Sequence, residues 1–294
     1  MLVNVLLTSI SVLTINVWGL PNFFIKKQAL SKNERINQIC KILKASSPDE
    51  LGWDVIFLQE VWELSDRRKL ADCGYSHTAD LDYMDFDSGV MILSRYPIEE
   101  DSIERLEFSE NGFFSRLFKD GEFLTHKSAI IAKIVHPKFG PIWFANTHLV
   151  SAYESEDIYI SQRKKQFQKF VDWAQEKSGS EPLILGGDLN TGPGKKDWKD
   201  YIDKTSKFSQ AEYSPAICTY EAETANMPCK LDHLFSSKHF ESLSASLEHR
   251  FRNISDHLGW QTRFLLRTKP LEQKAILDIK PVHVDYNPVK NFYV

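Results

Sequence analysis

At 294 residues, 42% of them hydrophobic, the chain is long enough to bury one large α/β core or two smaller ones. Its 40 Asp and Glu outnumber 36 Lys and Arg, and the formal net charge of −4 argues against a protein whose affinity comes mainly from phosphate backbones. The four cysteines, Cys40, Cys73, Cys218 and Cys229, have neither CxxC spacing nor histidines at zinc-ligand spacing. Neither a zinc site nor a disulfide framework is indicated, although Cys218 and Cys229 could pair in an oxidising compartment.

The N-terminal stretch MLVNVLLTSISVLTINVWGL is apolar, but it lacks a basic start and a small-residue cleavage site, and Asn4 and Asn16 interrupt it. It reads as a core strand (10–18) with a short lead, and no run reaches the length of a membrane span. SKNERINQICKILKAS follows with a capping box, Ser31 and Glu34, and sets Ile36, Ile39, Cys40 and Leu43 on one helical stripe. WDVIFLQE (53–60) and SGVMILS (88–94) are strands. SAIIAKIVH (128–136) and PIWFANTHL (141–149) form a hairpin turned at Pro137 to Gly140. Residues 156–177 predict a helix with Ile160, Phe167, Phe170, Val171 and Ala174 inward. PLILGGDLN, KLDHLFSS (230–237), FESLSASLEHR and LGWQTRFLLR complete the strands. With no linker or repeat in view, this order suits two sheets packed face to face with helices outside, as one domain over 1–267. The prolines spaced through 268–294 predict an extended C-terminal arm.

Several of these strands end in polar groups that an apolar core does not accommodate. Asn16 closes the first and Glu60 the 53–60 strand; His148 sits in NTHL, Asp188 and Asn190 in GGDLN, Asp232 in LDHLF, and Asp256 and His257 in SDHLGW. One such residue is ordinarily a turn cap. Six strand termini carrying them predict convergence on a ligand site at the sheet edge. Oxygen donors without cysteine suit Mg²⁺, or Mn²⁺, better than zinc, and a metal-assisted site can direct water at phosphorus without a protein nucleophile. No GxSxG elbow, P-loop or GxGxxG motif competes.

The set QE, NTHL, GGDLN, LDH and SDH, in that order across residues 10–266, resembles the endonuclease/exonuclease/phosphatase superfamily of metal-dependent phosphodiesterases. NVWGLP, FLQEVW, DSGVMILSRYPI and THLVSAYESEDIYISQR look like its neutral sphingomyelinase branch, with Trp18 and the Tyr153 to Arg163 segment pointing there. The resemblance implies a four-layer αββα sandwich and Mg²⁺-dependent hydrolysis of sphingomyelin to ceramide and phosphocholine.

Within that reading Glu60 is a direct metal ligand, supported by Asn16, and Asp256 holds a second cation or the outer shell of the first. His257 is the general base, suited by an imidazole pKa near neutrality, and Asp232 orients it. Asp188 positions water or metal. Asn190 and His148 donate to the phosphoryl oxygens as charge builds. Lys127 matches a lysine that the branch carries near the phosphate, with His126 where smaller neighbours are usual.

LPNFFIKK (20–27) and NGFFSRLFK (111–119) pair phenylalanines with basic residues. Phe23, Phe24, Phe113 and Phe114 are read either as core or as a membrane edge with Lys and Arg meeting headgroups. The expected partner is a membrane phospholipid at a lipid interface, with no nucleic acid and no protein partner evident, and the expected state is soluble with peripheral membrane association. The rival readings are a same-fold nuclease, an inositol-phospholipid phosphatase, or a non-catalytic membrane-binding module.

Overall fold

A strand buried at every residue needs neighbours on both edges and packing on both faces, and β1 (Ser9–Asn16) has them. In the computed structural model, which describes residues 9–20, 30–46, 52–85, 87–108, 127–151, 158–195, 198–210, 217–221 and 230–267, β1 lies inside a six-stranded sheet. Its order is β11 (Phe240–Glu248), β12 (Gly259–Leu266), β1, β2 (Val55–Gln59), β4 (Met91–Ser94), β3 (His77–Ala79). A second six-stranded sheet runs β5 (Ile98–Glu107), β6 (Ser128–His136), β7 (Gly140–His148), β8 (Leu183–Asp188), β10 (Asp232–Ser236), β9 (Ser209–Gln210). The β1–β2 and β7–β8 pairs are parallel, and the other ladders are antiparallel.

Period-2 alternation sorts the apolar residues into layers. Val12, Phe57, Ile130, Phe144, Ile184, Leu234 and Trp260 fill the space between the sheets. Leu13, Ile15, Ile56 and Leu58 face away from it, onto α1 (Lys32–Ser46) and α2 (Leu64–Ala71). On the other flank Ala145, Leu183 and Leu185 meet α3 (Ile160–Ser178) and α4 (Trp198–Lys204). These are the four αββα layers. The predicted capping box of α1 is present: Ser31 Oγ accepts from Glu34 N at 3.3 Å and Glu34 Oε2 accepts from Ser31 N at 2.7 Å. Of the residues expected inward on α3, Phe167, Phe170, Val171 and Ala174 are buried, while Ile160 in its first turn is only half-buried. Truncating Phe167 or Phe170 to Ala would cost about 3–5 kcal/mol.

A cluster of buried polar side chains crosses the apolar seam. Gln59 Nε2 donates to Thr14 Oγ1 at 3.0 Å and to Asn146 Oδ1 at 2.7 Å, and Asn146 Nδ2 donates to the Leu58 and Met91 carbonyls at 2.9 and 3.0 Å. All three side chains are buried, and their directional bonds fix how one sheet sits along the other.

The cysteines correct the expectation that no disulfide framework exists. Cys40 on α1 and Cys73 beyond α2 are bonded, Cα to Cα 5.1 Å, and Cys218 is disulfide-bonded as well. A separation of 33 residues carries no motif; the packing of the two helices on one sheet face brings the first pair together. Cys229, Phe23, Phe24, Phe113 and Phe114, and the arm 268–294, lie outside the described residues. Among those described, no helix is long and apolar enough to cross a membrane.

Candidate active site

Strand register assembles the site. His148 stands opposite Asp188 on the parallel β7–β8 pair, and Asp188 stands opposite Asp232 on the antiparallel β8–β10 pair, so the three form one transverse row at the sheet end. The two glycines of LILGGD make this close pairing possible. A Cβ on Gly186 would meet the His233 carbonyl at 2.1 Å, and one on Gly187, whose φ is +130°, would meet the Thr147 carbonyl at 2.0 Å.

The other sheet supplies Asn16, at the end of β1, and Glu60, one residue past β2. Asn16 Nδ2 donates to Glu60 Oε1 at 2.9 Å and to Asp188 Oδ2 at 3.0 Å, which ties the two sheets' contributions together. Trp18, Glu60 and Asn190 all have positive φ, 52°, 59° and 51°, a backbone cost held in place by the surroundings. Asn190 N donates to Asp188 Oδ1 at 2.9 Å, and Asn190 Nδ2 donates to the Leu149 carbonyl at 2.9 Å.

His257 Nδ1 lies 2.8 Å from Asp232 Oδ2, leaving Nε2 3.7 Å from Asp188 Oδ2. Ser255 Oγ donates to the Asn16 carbonyl at 2.7 Å and accepts from His257 N at 3.1 Å. Lys127 Nζ sits 3.0 Å from His148 Nε2, and His148 Nε2 lies 3.6 Å from Asp188 Oδ2. Every sequence-predicted residue of this group, Asn16, Glu60, Lys127, His148, Asp188, Asn190, Asp232 and His257, is buried, and Asp256 is half-buried beside them.

The electrostatics follow from many carboxylates in little water. Burial pushes Asp188 up to about 6, with His257 opposing and Asp232 reinforcing the rise. Burial pushes Asp256 up to about 7, His257 again opposing while Glu60 and Asp188 add to it. Burial alone would lower His257, but Asp232, Asp188 and Asp256 outweigh it and raise it to about 10. His148 is held well below the usual imidazole value by burial, then by Lys127 and His257, and is neutral.

The donor set fits a divalent cation. Two buried carboxylate oxygens, Glu60 Oε2 and Asp232 Oδ1, have no hydrogen-bond partner. Ligand atoms of Asp188, Asp232 and His257 lie within 4.8 Å of one another, a group different from the Glu60, Asn16 and Asp256 set expected from the sequence. His257 Nδ1 is engaged with Asp232, so the oxygen donors of Glu60 and Asp188, both held by Asn16 Nδ2, make the better cradle for a hard cation.

Several residues at this site escaped the sequence reading. Trp62 lines it: Lys127 Nζ sits 5.7 Å from its ring centre, the His148 ring lies 6.2 Å away, and its buried Nε1 has no partner. The Tyr220 ring meets the His257 ring edge to face at 5.1 Å. Ser255 is the first residue of SDH, a motif whose signal was read only from Asp256 and His257. Arg163, which ends the Tyr153 to Arg163 segment, is buried and donates to the Val150 carbonyl at 3.2 Å; residues 152–157 lie outside the described set.

The family model described as "Endonuclease/Exonuclease/phosphatase family" matches residues 13–257. A curated relative, "Inositol phosphosphingolipids phospholipase C" of Saccharomyces cerevisiae, is 30% identical over 212 residues, 63% of this chain, and the match spans 42% of that protein's length. Among solved structures, that of SmcL superimposes with a TM-score of 0.67 at 19% identity over 87% of this chain and 99% of the other. A beta toxin mutant from Staphylococcus aureus, with bound magnesium ions, gives 0.63 at 18% over 88% and 100%. At such identities these two show a shared fold.

Proposed function

Because the chain belongs to the endonuclease/exonuclease/phosphatase family, we propose that it is a phospholipase C-type phosphodiesterase that cleaves a sphingophospholipid into ceramide and a phosphorylated headgroup, phosphocholine in the case of sphingomyelin. The observation that carries the reading is the His257–Asp232 pair at 2.8 Å, set against Asp188 with Asn16 and Glu60 behind it. A purely structural ion cluster would not leave buried carboxylate oxygens unpartnered.

Water adds its oxygen to phosphorus as the P–O bond to ceramide breaks, and the departing oxygen takes a proton from solvent. Asp232 accepts a hydrogen bond from His257 Nδ1–H and fixes its tautomer, so that Nε2 takes a proton from the attacking water. Asn190, His148 and Lys127 donate to the phosphoryl oxygens, and Asp188 orients the water. Burial, with Lys127 adding to it, favours the neutral form of His148, which acts as a hydrogen-bond donor. Glu60 and Asp188 would hold Mg²⁺, with Asn16 positioning both carboxylates and Asp256 outside them. When bound, the cation supplies positive charge to the phosphoryl oxygens and offsets the carboxylates around His257, lowering its proton affinity toward that of a base.

Work at a lipid interface is part of the same proposal. Tyr83 and Met84 are 80% and 64% exposed on the loop between β3 and β4. That loop is clamped by Asp82, which accepts from Arg67, Arg105, Ser88 and Gly89, and a Cβ on Gly89 would strike the Trp62 ring. Such an exposed apolar pair suits contact with a membrane.

The test is product analysis with sphingomyelin, inositol phosphosphingolipid, glycerophospholipid, inositol phospholipid and abasic DNA, with Mg²⁺ and with excess EDTA. Ceramide from a sphingophospholipid, lost in EDTA and restored by Mg²⁺, is expected. Cleavage of DNA or release of inorganic phosphate in preference would overturn the reading, as would full activity in EDTA.

A further inference from the structure

The His257–Asp232 pair spans two segments, and one buried residue is bonded to both. Thr219 is fully buried, and its Oγ1 accepts from Leu231 N at 2.9 Å and from Asp232 N at 3.2 Å. Its carbonyl accepts from Leu258 N at 2.7 Å, immediately past His257. The strip continues in the same way: Glu221 N donates to the Asp256 carbonyl at 2.8 Å, and Tyr220 forms an antiparallel bridge with His257.

The need for Thr219 follows from how the second sheet ends. β8 covers one side of β10, but β9 covers the other only at Phe235 and Ser236. The amides of Leu231 and Asp232, at residues 1% and 0% exposed, lie before that stretch and donate to Thr219 Oγ1 instead. A buried N–H without an acceptor is destabilising, and the chain relieves it by finding another acceptor. The Thr219 hydroxyl takes the place of the missing strand. Its main chain meanwhile holds the peptide after His257, so one residue fixes the backbone under both halves of a 2.8 Å contact.

We propose that Thr219 is a positioning residue of the site, which sets the geometry of the His257–Asp232 pair through its hydroxyl on one side and its carbonyl on the other. The inference rests on the reading of His257 as the proton-accepting group. Thr219 acts through the backbone on either side of the pair, so its effect runs through turnover rather than binding.

Thr219→Val removes the hydroxyl at nearly constant volume and leaves the carbonyl in place; Thr219→Ser keeps the hydroxyl. The Val variant is expected to lose tenfold or more in kcat with KM within twofold of wild type, and the Ser variant to recover kcat to within about threefold. Should the Val variant not fold, Thr219→Ala is read instead, with the same expectation. The Nδ1 proton of His257, followed by NMR in protein labelled with ¹⁵N-histidine, gives a readout that needs no substrate. It should shift or broaden in Thr219→Val and keep its wild-type position in Thr219→Ser.

A folded Val or Ala variant with wild-type kcat and an unmoved Nδ1 resonance overturns the inference. So does a loss confined to KM or to the melting temperature, or a Ser variant no better than Val. If wild-type protein cleaves no phosphodiester, the proposed function fails, and the NMR comparison alone decides the role of Thr219.

Discussion

Without divalent metal, the protein should lose stability steadily as pH rises from 7 to 9. His257 is held at about 10 against an ordinary 6.5, so over this range the folded state keeps a proton that the unfolded chain has released. Its stabilising contribution is complete below 6.5 and gone above about 10. One extra bound proton corresponds to a slope of about 1.4 kcal/mol per pH unit, or about 3 kcal/mol across the range. With an unfolding entropy of about 2.1 cal/mol/K per residue, that is a fall of about 5 °C in Tm. Asp188 at about 6 and Asp256 at about 7 act in the same direction at lower pH, since each holds a proton that an unfolded carboxylate sheds near 3.8. Thermal unfolding in EDTA, at each half pH unit, reads the slope, and the same series in 10 mM Mg²⁺ should be flatter because a cation replaces the protons. His257→Ala should lose most of the slope between 7 and 9. A metal-free wild type with a flat or rising Tm, or an Ala variant with an unchanged slope, would refute the electrostatic account of the site.

Other expectations are shorter to state. Asp232→Asn should cut kcat by a hundredfold or more by presenting an amide to His257 Nδ1, while Mg²⁺ still raises Tm; unchanged turnover would remove Asp232 from its role. Glu60→Gln should weaken Mg²⁺ affinity more than tenfold by calorimetry, since it removes a buried carboxylate charge. Opening the Cys40–Cys73 bond by Cys40→Ser with Cys73→Ser should cost roughly 3–4 kcal/mol for a loop of 33 residues, about 5–6 °C in Tm, with kcat within twofold. Replacing Tyr83 and Met84 together by Ser should weaken binding to sphingomyelin vesicles about tenfold or more and leave hydrolysis of a soluble short-chain substrate unchanged; equal binding would remove that loop from the lipid contact.

The sandwich was legible because its central strands are apolar on both faces, as WDVIFLQE and PLILGGD are, and because polar groups appear where those runs stop. β5 was missed for the opposite reason. IEEDSIERLE is an edge strand, charged and largely exposed, and carries no apolar run. α2, α4 and the short β3 and β9 offered too few residues for a period to show. At the site, residues with distinctive chemistry announced themselves, whereas Thr219 and Ser255 act through hydroxyls on backbone groups that only the fold brings near. Gln59 and Asn146 stand within the QE and NTHL motifs, but their contact across the two sheets has no signal in the sequence. The Cys40–Cys73 bond depends on two helices meeting and has no local signature.

The chain order of the strands has a further consequence. β5 to β10 form one sheet without interruption, while the other is made of β1 to β4 and then β11 and β12. The first and last described strands are therefore neighbours, with Ser9 opposite Leu265 in the β1–β12 ladder. Topologically the fold is almost a closed ring, broken at one edge of β1. A circular permutant, joined by a short linker from β12 to β1 and opened at the exposed Pro137–Lys138 turn, keeps every ladder but shifts the chain ends to the far side of β6 and β7. His148, at the opposite end of β7 from that turn, would then lie about 26 Å along the strand from the new terminus, so a partner fused there would stand clear of the site.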